Sequence, residues 1–196
     1  MKKALSVLLA ALILTCALLL SSCGEKTKTG ETESAAPTLD DEALNKSFPS
    51  LLSFAAGTLD NEEFTEKNFS GHDLTVMNIW ATYCGPCLAE MEDIAAFSKA
   101  LPERVQFITL CSDAFGNEEK ARSILEEAGY EGVTLITWDG DLIKLLSKVQ
   151  YVPTTLFFDG TGRCVGTEII GGVSDFAAEY TKAVNSALAL LGKDAI

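Results

Sequence analysis

Asn78-Ile79-Trp80-Ala81-Thr82-Tyr83-Cys84-Gly85-Pro86-Cys87 is the stretch on which the fold turns. Its first residues close an apolar run, Leu74 to Trp80, that predicts a central strand. Leu88, Met91, Ile94 and Ala95 follow at helical spacing, so a helix is predicted from Cys87 to Leu101, ended by Pro102. Two cysteines between a strand and a helix are a redox signature when βαβ units surround them. The placement serves the chemistry. Free backbone N–H groups and the positive end of a helix dipole favour a thiolate over a thiol. A thiol so placed ionises well below the ordinary value of about 8.5. Cys84 is then the attacking sulfur, and Cys87, one helical turn on, resolves the mixed disulfide.

Outward from this stretch the chain alternates strands and helices. Ser53 to Phe69 reads as a hairpin around Asp60-Asn61. Arg104 to Cys111 predicts a second strand, and Asn117 an N-cap for a helix over Glu118 to Ala128 that Gly129 terminates. Val133 to Trp138 is a short extended segment, and Asp141 to Val149 another helix. After Pro153, Thr154 to Phe158 and Arg163 to Ile170 are predicted strands joined by a turn at Asp159-Gly160-Thr161-Gly162, and a last helix runs from near Ser174 to before Gly192. The expected class is α/β, a central mixed β-sheet flanked by helices, with right-handed crossovers.

With 196 residues and 47% hydrophobic content, one sizeable core is expected and a second full domain is not. The net charge of -13 argues against nucleic acid as a partner. Met1-Lys2-Lys3, an apolar run from Ala4 to Leu20, and then Ser21-Ser22-Cys23-Gly24 make a signal peptide. Its end, Leu-Ser-Ser-Cys, resembles the lipobox of bacterial lipoproteins, which implies cleavage before Cys23 and lipid on that cysteine. An uncleaved anchor fits less well, because a run this short barely crosses a bilayer. Ordinary secretion is the third reading. Cleavage removes two lysines and no acid, and Cys16 with them, so the mature chain is more acidic still. The division expected is a lipoprotein signal peptide over 1–22, a lipidated flexible tether over 23–47, and one domain over 48–196. The tether is polar and nearly free of large apolar side chains.

The active-site stretch, taken with Tyr151-Val152-Pro153-Thr154-Thr155, resembles thioredoxin-fold proteins. More narrowly, the chain is similar to the membrane-anchored TlpA/ResA-type thiol-disulfide oxidoreductases of bacteria over about residues 53–191. The hairpin matches that family's N-terminal extension, and Arg104 to Gln150 its βα insertion. The resemblance implies that Cys84 is the nucleophile and Cys87 the resolving thiol. It implies that Pro153 is cis and packs on the active-site sulfurs, while the backbone of Val152 pairs with the substrate chain. Trp80, Tyr83, Gly85 and Pro86 complete the expected substrate contact, and Glu90 falls where the family has an active-site glutamate, a candidate acid–base group. The plainer reading of Glu90 is an acid complementing the helix N-terminus. Two departures stand out. Asn78 occupies the place of thioredoxin's buried aspartate, and Tyr83 that of the commoner tryptophan.

The same resemblance implies no cofactor beyond a Cys84–Cys87 disulfide, no metal and a monomer. It implies exported cysteine-containing proteins as substrates, such as apocytochrome c or a methionine sulfoxide reductase. An integral membrane thiol transporter of the CcdA/DsbD kind is the implied electron donor, at the extracytoplasmic face of the bacterial cell membrane. Gly-Pro between the cysteines is thioredoxin's own dipeptide, whose potential near about -270 mV favours a reductase. A peroxiredoxin-type thiol peroxidase is the enzymatic alternative, but its Pro-x-x-x-Thr-x-x-Cys pattern would need residues that Met77 and Ala81 replace. A copper-binding module of the Sco type suits two thiols and an imidazole, yet that family spaces its cysteines by three and carries its histidine downstream, whereas His72 lies upstream. Cys111 and Cys164 are expected as buried free thiols, not bonded to one another.

Overall fold

The computed structural model describes residues 43–196. The expected signal peptide, Cys16, the expected lipidation site Cys23 and most of the predicted tether lie outside the described residues. An antiparallel hairpin of β1 (Ala55–Gly57) and β2 (Glu63–Thr65) comes first, Ala56 opposite Phe64. The main sheet is centred on β3 (Leu74–Trp80), whose residues are all buried. A strand covered on both faces reads as a mainly apolar run, which is how this one appears in sequence, with Thr75 and Asn78 as its buried polar members. On one side β4 (Val105–Cys111) runs parallel to it, placing Cys111 beside Trp80, and β5 (Thr134–Leu135) extends that side. On the other, β6 (Thr154–Asp159) runs antiparallel with Thr155 opposite Asn78, and β7 (Ile169–Ile170) forms the edge. The order is β5-β4-β3-β6-β7, a mixed sheet of thioredoxin-like topology.

Alternation along the strands divides the core in two. Val76 and Trp80 face a layer containing α1 (Gly85–Ala89), α2 (Met91–Ala100), α3 (Glu118–Ala128) and, after the intervening α4 (Asp141–Leu146), α5 (Phe176–Leu190). Met77 and Ile79 face the opposite layer, where α4 and the hairpin supply Leu142, Leu145, Phe54 and Phe64. Phe69 closes that second layer. It is fully buried, stacks on Phe158 with ring centroids 5.5 Å apart, and meets Phe64 edge-on at 5.8 Å. A Phe69→Ala variant is expected to lose about 3–5 kcal/mol of stability, because a cavity replaces both transfer energy and packing. Urea denaturation measures this, and a loss under about 1 kcal/mol would mean the aromatic cluster does not hold the hairpin to the sheet.

The elements differ from the sequence expectation where long-range contacts intervene. The helix expected over Cys87–Leu101 begins at Gly85 and is interrupted at Glu90, which lies at φ -94, ψ -6 between α1 and α2. There its N–H donates back three residues to Cys87 O, a tightened turn, before Ile94 N–H returns the ladder to Glu90 O. Asn117 occupies the N-cap position of α3 without capping it. Its side-chain amide donates to Asp113 O at 2.8 Å. Gly129 does end α3, in the left-handed region at φ 72. The segment expected as a strand over Arg163–Ile170 pairs with β6 through a Cys164 bridge to Phe158 and through β7, and its outer edge is bridged by Leu44 and bonded by Asn45. Accordingly residues 43–47, read from composition as tether, pack on the domain. Ala43 is buried, Gly166 N–H donates to Ala43 O, and Asn45 Nδ2 donates to Glu168.

Candidate active site

Cys84 stands at the N-cap of α1 because β3 ends at Trp80 and the next residues turn, Cys84 N–H donating to Ala81 O. Pro86 at the start of α1 is favourable there, since a first-turn residue has no intrahelical N–H partner to lose. Cys84 and Cys87 are joined by a disulfide. The Cys87 N–H points at Cys84 Sγ from 3.2 Å, a side-chain cap in which sulfur is the acceptor. On reduction this donor favours the thiolate form of Cys84. Cys84 keeps 7% of its surface and Cys87 1%, so an incoming group reaches only the first sulfur.

The Val152–Pro153 peptide is cis, as expected, and the carbonyl of Val152 lies 3.4 Å from Cys84 Sγ. A disulfide sulfur has no proton to give, so in the oxidised state this is a contact. In the reduced state the same carbonyl is placed to accept from the thiol. Tyr83, Gly85 and Pro86 are exposed beside the disulfide and Val152 is partly exposed, which brings those four expected contact residues together on one surface. Pro153 is buried beneath them. Trp80 requires correction as a substrate contact. It is 0% exposed, inside the core on the α-helical face of β3, and its indole N–H has no partner among the described residues. It supports the site from below.

Glu90 is 6% exposed. Its Oε1 accepts from Val173 N–H at 2.6 Å, while Oε2 has no hydrogen-bond partner among the described residues. Burial raises the carboxyl above its ordinary value, the Val173 N–H opposes this, and Asp93 adds a smaller push upward. A carboxyl held this way retains its proton to higher pH than a surface glutamate.

Two polar groupings about the site were not read from the sequence. Asp113 Oδ1 accepts from Thr82 N–H at 2.8 Å, and its Oδ2 from the Thr82 hydroxyl at 2.7 Å. These bonds fix the turn that carries Cys84. The Ser-Asp pair after a strand was the available signal, but nothing local says that its acceptor role is spent on residue 82. The second grouping lies on the buried helical face of β3. Asn78 Nδ2 donates to Thr155 Oγ1 at 2.9 Å and to Tyr180 Oη at 3.3 Å, and the two hydroxyls share a bond of 2.7 Å. Burial pushes the Tyr180 hydroxyl up to about 12, so it stays protonated throughout the working range. Asn78 thus anchors a neutral network where an aspartate would carry charge.

The remaining candidates are apart from this chemistry. His72 is at the opposite end of β3, its Nδ1 2.9 Å from Glu103 O. Cys111 and Cys164 are free and buried, and burial pushes both thiols up to about 12. Cys111 Sγ donates to Asp113 at 3.3 Å. Both cysteines are expected to resist alkylation near neutral pH in the native oxidised protein and to react fully once it is unfolded. Peptide mapping by mass spectrometry reads this out. Rapid native labelling of Cys111 would show that its strand end opens to solvent. No group of three metal-ligating side chains occurs among the described residues.

A reactive pair of cysteines at a helix start, faced by a cis-proline loop within a thioredoxin-like fold, defines a thiol-disulfide oxidoreductase. The chain belongs to the Redoxin family, which it matches over residues 38–169. Solved structures agree on the fold. DsbF of Mycobacterium tuberculosis superposes with a TM-score of 0.58 at 23% identity, covering 71% of this chain and 98% of its own. StoA of Bacillus subtilis gives 0.54 at 19%, with 67% and 96% covered. An exposed lipoprotein thioredoxin of Streptococcus pneumoniae gives 0.53 at 20%, with 67% and 97% covered. A search of curated proteins finds no match.

Proposed function

We propose that this protein is an extracytoplasmic, lipid-anchored reductase of the TlpA/ResA type that opens disulfides in other exported proteins. The observation that carries the reading is the exposure difference within the disulfide, Cys84 at the surface and Cys87 beneath it, with the Cys87 N–H aimed at Cys84 Sγ. In the dithiol form the Cys84 thiolate attacks one sulfur of the partner's disulfide and expels the other as a thiolate, which takes up a proton. The Cys87 thiolate then attacks Cys84 Sγ in the mixed disulfide and releases the partner's second sulfur. The partner gains two electrons and two protons, and the Cys84–Cys87 disulfide remains. Two electrons from a membrane thiol transporter of the CcdA/DsbD kind restore the dithiol. In this scheme Glu90 exchanges a proton with Cys87, Tyr83, Gly85, Pro86 and Val152 meet the substrate, and Pro153 packs under the sulfurs.

The address rests on the lipobox at Cys23, and the fold neighbours include a secreted disulfide oxidoreductase and an exposed lipoprotein. No helix among the described residues is long and apolar enough to cross a membrane. The deciding experiment is the reduction potential of the Cys84–Cys87 couple, equilibrated against glutathione or dithiothreitol. A value near about -270 mV is expected, and one above about -150 mV would identify an oxidant and overturn the reductase assignment.

A further inference from the structure

Beside the disulfide the surface opens into a pocket of about 290 Å³ walled by Tyr83, Trp138, Leu146 and Val152 together with the polar Ser112 and Gln150. No charged side chain lines it, on a chain whose net charge is -13. Its position ties it to the chemistry. Tyr83 is the chain neighbour of Cys84, and the Val152 carbonyl is the group 3.4 Å from Cys84 Sγ. Any partner whose sulfur reaches Cys84 therefore covers the rim of this pocket.

The wall opposite the cis-proline loop is pinned by the N-terminal hairpin. Ile136 N–H donates to Gly57 O and Asp139 N–H to Ala55 O, both at 2.9 Å. In return Ala55 N–H donates to Asp139 Oδ1 at 2.7 Å and Gly57 N–H to Thr137 Oγ1 at 2.9 Å. Gly140, at φ 58, completes the clamp. A Cβ there would stand 2.4 Å from Ser53 O, so only glycine lets the hairpin approach. Trp138 is thus held on both sides by residues whose backbone is committed to β1. The pocket is preformed, and a preformed uncharged pocket confers selectivity at low ordering cost.

An extended partner segment presents alternate side chains to one face, about 6.6 Å apart. With its reacting cysteine on Cys84, the residue two positions away faces the same side, where Tyr83 and Val152 border both the sulfur and the pocket. We infer that the pocket is a specificity subsite for a large uncharged side chain, aromatic or branched aliphatic, two residues from the partner's reacting cysteine. The inference rests on the reading that Cys84 exchanges with disulfides in polypeptides. It gives the hairpin a role in choosing substrates.

The test uses reduced full-length protein and short peptides whose single cysteine is disulfide-linked to a coloured aromatic thiol, so that each attack by Cys84 releases the dye. Phe, Ala, Lys or Asp is placed two positions before or after the cysteine. On one of the two sides Phe is expected to exceed Ala by about tenfold or more in the second-order rate constant of dye release, with Asp slowest. Trp138→Ala should collapse that Phe/Ala ratio to below about threefold. Gln150→Glu, an isosteric change at an exposed residue of the rim, should raise the Lys peptide relative to Phe. Equal rates for Phe and Ala on both sides, or a ratio untouched by both variants, would overturn the subsite while leaving the exchange reaction standing. Failure of every peptide and of a small disulfide alike would remove the oxidoreductase reading itself, and the subsite with it.

Discussion

A Cys87→Ala variant is expected to end its reaction as a stable covalent adduct, Cys84 joined to a partner cysteine, with multiple-turnover exchange reduced by about a thousandfold or more. Cys87 is buried one turn behind Cys84 and disulfide-bonded to it, so it attacks the mixed disulfide from inside while the partner occupies the outer face. Without it the adduct waits for an external thiol, which has only the narrow approach that the 7% exposure of Cys84 allows. Cys84→Ser is the counterpart and should form no adduct, because Cys87 is covered. Non-reducing electrophoresis followed by mass spectrometry of the trapped pair distinguishes the two. Equal trapping by both variants would show that either sulfur can lead, contrary to the burial.

Glu90→Gln is expected to slow exchange by about a hundredfold and to flatten the acidic limb of its pH profile, in keeping with the worth of a positioned proton-transfer group. Its effect on stability has a definite sign. Burial raises the folded-state carboxyl above its ordinary value of 4.5, so between that value and the raised one the folded protein holds more protons than the unfolded chain. Stability from Glu90 is therefore fully present below the unfolded value and is lost as pH rises through the folded one. The slope is at most about 1.4 kcal/mol per pH unit for one group. Glutamine cannot ionise, so the variant should lack that decline. Urea midpoints of the oxidised wild type and variant, taken across the mildly acidic range, give the comparison. Parallel curves would place the titrating group elsewhere.

The same residue shows where sequence reading stops. Glu90 is legible as a helical acid one turn after Cys87, but the break it makes between α1 and α2 is not, because neither glycine nor proline marks it. It coincides with a hydrogen bond from Val173, 83 positions away. The packing of residues 43–47 against the Val165–Glu168 segment was hidden for the same reason, since polar composition says nothing about a distant edge that needs partners. Trp80 was legible as a core-strand aromatic and misread as a contact, because proximity in sequence to Cys84 does not say which face of β3 a side chain takes once the helices cover it.

By itself the sequence determined the strand from Leu74 to Trp80, the reactive turn behind it and the hairpin, while the cis peptide at Pro153 followed only from the family resemblance. The first three are written in neighbouring residues, as an apolar run, a Gly-Pro between cysteines, or a turn pair. The tertiary structure alone decided which sulfur faces solvent, which carboxyl is desolvated, and that Asp113 holds Thr82 while β1 holds the wall around Trp138. Those outcomes depend on burial and on hydrogen bonds across 31 to 84 positions, and no local pattern encodes the partner at the far end.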